Sequence, residues 1–366
     1  MSTQRRKKLN SKIEQALSPT QRRKELISKL EQALSSRVLT LITGDRQGME
    51  TRIAPDLIPL VSEHLSRIGS AESLSLFIYT PGGDSIAGWG VVSLIRQYCT
   101  KFNVLVPFRA LSCGTLITLG ADEIIMGKRG FLSPIDPSLA SPFNPPAPGQ
   151  QQPGAISLLP VSVEDMIGFL ELARKEMRLK SDESMVQVLK ILSEKVHPMA
   201  LGAVYRAREQ NSSLARNLIL SHSNNEGKVN RIVTQLTQEL PTHNYLIGRK
   251  EASKQIGLDI KEPSKEVEQL MWDLYKEYET WLQLTSPASA ELDLGVEEKK
   301  SVRYERAAIE SLNNETLLQH VFITDKVLLR ISVTPPGMQA PIDQIIERTV
   351  YQGWLLREDE DKEAVK

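Results

Sequence analysis

The feature that most constrains this chain is a strand–turn–helix unit that recurs along it. Leu74 to Tyr79 reads as a buried strand, followed at once by Thr80-Pro81-Gly82-Gly83-Asp84 and a helix to about Tyr98. Asn103 to Phe108 reads as another strand, after which Leu111-Ser112-Cys113-Gly114 opens a helix to about Gly120. Upstream, Val38 to Thr43 has the pattern of a strand and Pro55 to Ile68 that of a helix. Short strands are expected at Glu123 to Met126 and Phe131 to Ile135. Units of this length predict an α/β fold, a parallel sheet with crossover helices.

Charge points to no particular partner, because Lys plus Arg and Asp plus Glu both number 45. Two cysteines, Cys99 and Cys113, are too few for a disulfide scaffold and suit a reducing compartment. The basic N-terminus lacks the apolar core of a signal peptide. The longest apolar stretch, around Ala110 to Ala121, stops at Asp122-Glu123 and is too short to span a bilayer. These readings predict a cytoplasmic protein.

The N-terminus contains an internal repeat. Gln4 to Ser18 and Gln21 to Ser35 match at 12 of 15 positions with a period of 17. Leu9, Ile13 and Leu17, then Leu26, Leu30 and Leu34, recur at helical spacing, and Pro19-Thr20 separates the copies. Residues 1–36 are therefore expected to form a duplicated amphipathic arm that packs on the body or on a neighbouring subunit. Its nine Lys/Arg against three Glu leave nucleic acid or anionic lipid as a second reading of the arm. Ser141 to Pro160, rich in Pro, Gly and Gln, reads as a loop, and Ser162 as the N-cap of helices continuing to about Leu240. Residues 37–262 form the expected main domain. Residues 263–366 form a C-terminal extension, with a helix around Val267 to Leu282 and one strand-like run from His320 to Val333.

The two turns carry the chemistry. At each, a strand ends where a helix begins, so backbone N–H groups gather at a helix N-terminus and can stabilise negative charge. Ser112 would project its hydroxyl from the second turn, with the N–H of Cys113 facing the same spot. A nucleophile and two oxyanion donors are the minimum for acyl transfer. Each turn alone has a plainer reading: Pro-Gly-Gly is common in loops, and a serine before glycine can serve close packing.

Together the turns carry a resemblance. FIYTPGGDSIAGWGVVSLIRQY is similar to the oxyanion segment of ClpP and of signal-peptide peptidase A, and the interval from Gly83 to Ser112, 29 residues, is that of ClpP-type enzymes. ALSCGTLITLGADEIIMG followed by FLSPIDPSL resembles the serine dehydrogenase proteinase family more closely, as does THNYLIGRKEASKQIGLDI farther on. The likeness extends over roughly residues 37–262 and implies a ClpP/crotonase-like fold of repeated ββα units. It implies a serine peptidase with Ser112 as nucleophile and the N–H groups of Gly83 and Cys113 as oxyanion donors. Relatives with this fold assemble into oligomers, so a homo-oligomer acting on a peptide or protein substrate is expected.

The base is open between a histidine, a lysine and no competent base for Ser112 at all. The position of the ClpP histidine falls near Asp136, and that of its aspartate near His243, so the roles can be exchanged, with His243 as base and Asp136 orienting it. The rival is a lysine, as in signal-peptide peptidase A, with Lys175, Lys180, Lys190 and Lys195 on the following helices. Asp136 could instead cap a turn, and His243 could be an ordinary loop residue. Cys113, Ser133 and Asn244 stand where the family usually has Ala, Gly and Asp. No metal-ligand spacing and no dinucleotide fingerprint is present, so no cofactor is expected. The absence of a Walker loop leaves any ATP-driven unfolding to a separate partner protein. No feature points clearly to nucleic acid or membrane as a partner of the body. Two further readings remain: a catalytically weak assembly protein, and a crotonase-like enzyme of acyl thioesters using the same turns.

Overall fold

The computed structural model describes residues 17–135, 138–139, 161–240, 242, 244–334 and 341–357. Its centre is a parallel sheet formed by β1 (Arg37–Thr43), β2 (Ala71–Tyr79), β3 (Cys99–Val106) and β5 (Glu123–Met126). These strands are apolar on both faces, as strands covered on both sides must be. Leu39, Leu41, Leu74, Leu76, Val104 and Val106 point to one core, which is closed by α2 (Leu57–Ile68), α3 (Ser85–Ile95) and α4 (Cys113–Thr118). The alternate residues Val38, Ile42, Phe77, Tyr79 and Leu105 point to a second core on the opposite face.

The expected ββα repeat is visible in the pairing. After each long strand the chain lays a short segment into a second, smaller sheet before the helix begins. Ile53 bridges Gly83, Thr80 bridges Ala110, and β4 (Arg109–Ala110) pairs in parallel with β6 (Phe131–Leu132). These short segments place the two turns side by side. A two-stranded pair, β7 (Ser138–Leu139) with β8 (Val161–Ser162), leads into the helices α5 (Val163–Glu171), α6 (Asp182–Lys195), α7 (Pro198–Leu220) and α8 (Glu226–Thr234). The chain then returns through β9 (Ile247–Gly248), antiparallel to β6, and β10 (Ile260–Lys261), parallel to β5.

The second copy of the N-terminal repeat is α1 (Pro19–Leu34), which opens with a reciprocal capping box. Ser18 Oγ accepts from the Gln21 N–H, and the Gln21 side chain accepts from the Ser18 N–H. Ile27 and Leu30 are buried in the second core beside α9 (Lys265–Leu282), so this helix packs on the body. Residues 4–16 of the first copy lie outside the described residues. Arg23, also on α1, is buried against Glu310, its Nε 3.1 and 3.2 Å from the two carboxylate oxygens. Tyr278 and Gln319 donate to the same carboxylate, and the guanidinium lies 3.9 Å from the Trp281 ring centre. The charged pair is thus hydrogen-bonded throughout, the condition under which burial of ions is tolerated.

Residues 263–366 differ most from expectation. The one strand-like run is the middle of three long antiparallel strands, β11 (Lys299–Asn313), β12 (Thr316–Val333) and β13 (Ile342–Arg357). β11 pairs with β1, and the sheet runs on through eight strands in the order β10-β5-β3-β2-β1-β11-β12-β13.

Where β11 and β12 meet α2, two imidazoles are buried in series. His64 Nδ1 lies 2.7 Å from Ser311 Oγ, and His64 Nε2 lies 3.1 Å from His320 Nδ1. Burial, helped by the neighbouring His320 and Arg67, pushes the His64 pKa down to about 3. Burial lowers His320 too, against the opposing pull of Glu63. An unfolded histidine titrates near 6.5, so between that pH and about 3 the unfolded chain binds the extra proton. Stability is therefore fully present above about pH 6.5 and falls as the pH drops below it. Denaturant titrations at pH 7 and pH 4.5 should differ by roughly 2–3 kcal/mol from His64 alone. The difference should shrink by that amount in His64→Gln; an unchanged difference would remove His64 as its source.

Candidate active site

The turn between β4 and α4 is strained at Ser112. Ser112 sits at φ +51° and ψ −111°, a conformation that costs a side-chain-bearing residue on the order of 1–3 kcal/mol. Several contacts hold it there. The Ser112 N–H donates to Ser133 Oγ at 2.7 Å, and Ser133 Oγ donates to the Pro134 carbonyl at 3.1 Å. Thr115 Oγ1 donates to the Ala110 carbonyl at 2.9 Å and accepts from the Ser133 N–H at 3.0 Å. The Ser112 hydroxyl caps no helix N–H and its residue is half-buried, so it is available to an external group.

The facing turn is built to approach it closely. A Cβ at Gly82 would stand 2.8 Å from Ser112 Cβ and 3.3 Å from Ser112 Oγ, so only glycine lets the two turns meet. Gly83, at φ +151°, is zipped to Ile53: the Ile53 N–H donates to the Gly82 carbonyl at 2.9 Å and the Asp84 N–H to the Ile53 carbonyl at 2.8 Å. A parallel bridge of this kind turns the N–H of its central residue away from the partner strand. Among the described residues, neither the Gly83 N–H nor the Cys113 N–H is engaged by a hydrogen bond. Both belong to turns that open helices, α3 with its Asp84 cap on the Ala87 N–H at 2.7 Å, and α4.

Cys113 is a packing residue. It is fully buried, its Sγ donates to the Asp84 carbonyl at 3.1 Å, and Gly88 leaves the room it occupies. Burial, with the nearby Asp84 carboxylate, pushes its thiol up to about 12, so it is no thiolate nucleophile near neutral pH.

Asp136 and His243 lie outside the described residues. The strands leading to them are described: β6 and β9 are antiparallel, with Leu132 opposite Ile247. The four candidate lysines, Lys175, Lys180, Lys190 and Lys195, are all exposed, and Lys175 is paired with Glu171. Lysine bases are made by desolvation or a cationic neighbour, and exposure in water supplies neither. Among the described residues no group of three or more His, Cys, Asp or Glu could hold a metal ion, and no helix is long and apolar enough to cross a membrane. Ser133 is the positioning residue that sequence reasoning passed over. In the sequence its signal is the departure from the Gly that the resembled family usually has there.

Residues 10–150, which include both turns, match the family of ClpP-like SDH-type serine proteinases. Two uncharacterised proteins of Methanocaldococcus jannaschii are similar in sequence. One is 27% identical over 204 residues, covering 56% of this chain and 59% of that protein. The other is 39% identical over 66 residues, 18% of this chain and 23% of that protein. The chain thus spans less than two thirds of the length of either. Among solved structures, a mutant of the 1510-N membrane-bound stomatin-specific protease aligns at 14% identity and a TM-score of 0.36, over 66% of this chain and 84% of that one.

Proposed function

We propose that this chain hydrolyses peptide bonds as a serine peptidase of the ClpP and signal-peptide peptidase A type, through an acyl-enzyme on Ser112. The observation that carries the reading is the strained, accessible Ser112 beside two unengaged backbone N–H groups, those of Gly83 and Cys113. Ser112 Oγ attacks the scissile carbonyl carbon while His243 takes its proton and Asp136 orients the imidazole. The carbonyl π electrons move to oxygen, and the oxyanion is held by the Gly83 and Cys113 N–H groups. Collapse breaks the C–N bond, the amine leaves with the proton from His243, and water attacking the ester releases the acid and restores Ser112.

A homo-oligomer acting on a peptide or protein substrate is part of the proposal. The test is a fluorophosphonate probe with the full chain, followed by peptide mapping of the adduct. Modification is expected at Ser112. Adducts confined to other residues, or acyl-CoA turnover that survives loss of Ser112, would replace this reading.

A further inference from the structure

β11, β12 and β13 reach residues 49–56, which lie beside the oxyanion turn, with Arg306 at the centre of the contact. β11 carries a bulge at Arg306: Glu305 pairs with Ile323 and Ala307 with Phe322, which leaves Arg306 unpaired in the ladder. Bulges re-aim the side chain of the extra residue and are frequent beside active sites. Here the guanidinium lies 5.6 Å from the Phe322 ring centre and turns toward residues 49–51. Its Nε donates to the Met49 carbonyl at 3.0 Å and its Nη2 to the Glu50 carbonyl. Its Nη1 donates to Thr324 Oγ1 at 2.9 Å and Gln352 Oε1 at 3.2 Å. The Arg306 carbonyl accepts from Thr51 Oγ1 at 3.1 Å, and Trp354 Nε1 donates to Asp56 at 3.0 Å.

Residues 49–56 are therefore clamped on one side by β11, β12 and β13. On their other side lies the oxyanion turn, because Ile53 exchanges backbone hydrogen bonds with Gly82 and Asp84. The clamp and the turn are two residues apart along the chain, from Thr51 to Ile53. A compact ammonium with three donors could not bind two successive carbonyls, a threonine and a glutamine at once; the planar fork of a guanidinium is needed.

We propose that Arg306 is a positioning residue for acyl transfer, holding residues 49–53, and through Ile53 the Gly83 N–H, in place opposite Ser112. The proposal rests on the reading of Ser112 as nucleophile. It gives the C-terminal sheet a part in the reaction at a distance from the reacting atoms. An oxyanion donor displaced by a fraction of an ångström stabilises the transition state less and leaves substrate binding nearly as it was.

The experiment measures the rate of fluorophosphonate labelling at Ser112, together with kcat and KM for a peptide, in the full-length protein and three variants. Arg306→Gln should lower the labelling rate and kcat by roughly 10- to 100-fold, with KM within about twofold of wild type. Arg306→Lys, which keeps the charge and loses the fork, should fall between the two. Trp354→Phe, which removes the bond to Asp56 and trims the ring that packs on Phe322, should cost about threefold. Thermal melts identify the folded variants, and if Arg306→Gln does not fold, Arg306→Lys and Trp354→Phe decide. A folded variant that labels at the wild-type rate, or a loss appearing only in KM, would overturn the positioning role and leave Ser112 as nucleophile. Wild type that does not label at Ser112 would sink both readings together.

Discussion

Replacing Ser112 by alanine is expected to abolish fluorophosphonate labelling and to reduce peptide hydrolysis by roughly 10³–10⁶-fold, the scale of losing a nucleophile. The fold should survive, because the hydroxyl caps no helix and Ser112 is held by its backbone N–H, which donates to Ser133 Oγ at 2.7 Å. Alanine keeps the Cβ and so keeps the strain of φ +51°. Ser112→Gly is the informative companion. It removes the hydroxyl as well, but glycine occupies this conformation without the Cβ penalty, so it should be more stable than Ser112→Ala by on the order of 1 kcal/mol. Equal inactivity with unequal stability would identify Ser112 as a strained nucleophile. Labelling retained in either variant would eliminate it, and a glycine variant no more stable than the alanine one would show that the turn stores no strain.

Much of this site is legible in the sequence because its parts are local. A strand, a Gly-Gly turn and a helix follow one another within residues 74–95, and the serine turn repeats the arrangement within 99–118. Periodicity and turn chemistry report such units directly. What was not legible depends on contacts between distant positions. β1 pairs with β11 across more than 260 residues, and nothing in Lys299–Arg306, a run dense in charge, announces a strand that extends a central sheet. Arg23 and Glu310 read as surface residues until the fold buries them together. Arg306 is legible only from a bulge, which is a property of the register of two strands and of neither sequence alone.

The identity of the base has the second large expected effect, and it separates two chemistries. If His243 accepts the Ser112 proton, His243→Ala should lower turnover by roughly 10²–10⁴-fold, the usual worth of a positioned general base. Asp136→Asn should then be damaging as well, since an amide orients the imidazole less well and offers no charge to the imidazolium. With a histidine base, activity should rise with pH through the imidazole range and level off above it. With a lysine base both substitutions should be mild, and activity should keep rising into the alkaline range as the ammonium loses its proton. The exposure of Lys175, Lys180, Lys190 and Lys195 weighs against the second outcome, because none of the four is withdrawn from water. If the Asp that the resembled family usually carries at position 244 orients the base, Asn244 weakens that arrangement, and Asp136→Asn then tests whether Asp136 does the orienting. A fully active His243→Ala enzyme whose turnover vanishes on replacing one of the four lysines would defeat the histidine assignment and leave Ser112 as the nucleophile of a Ser–Lys pair.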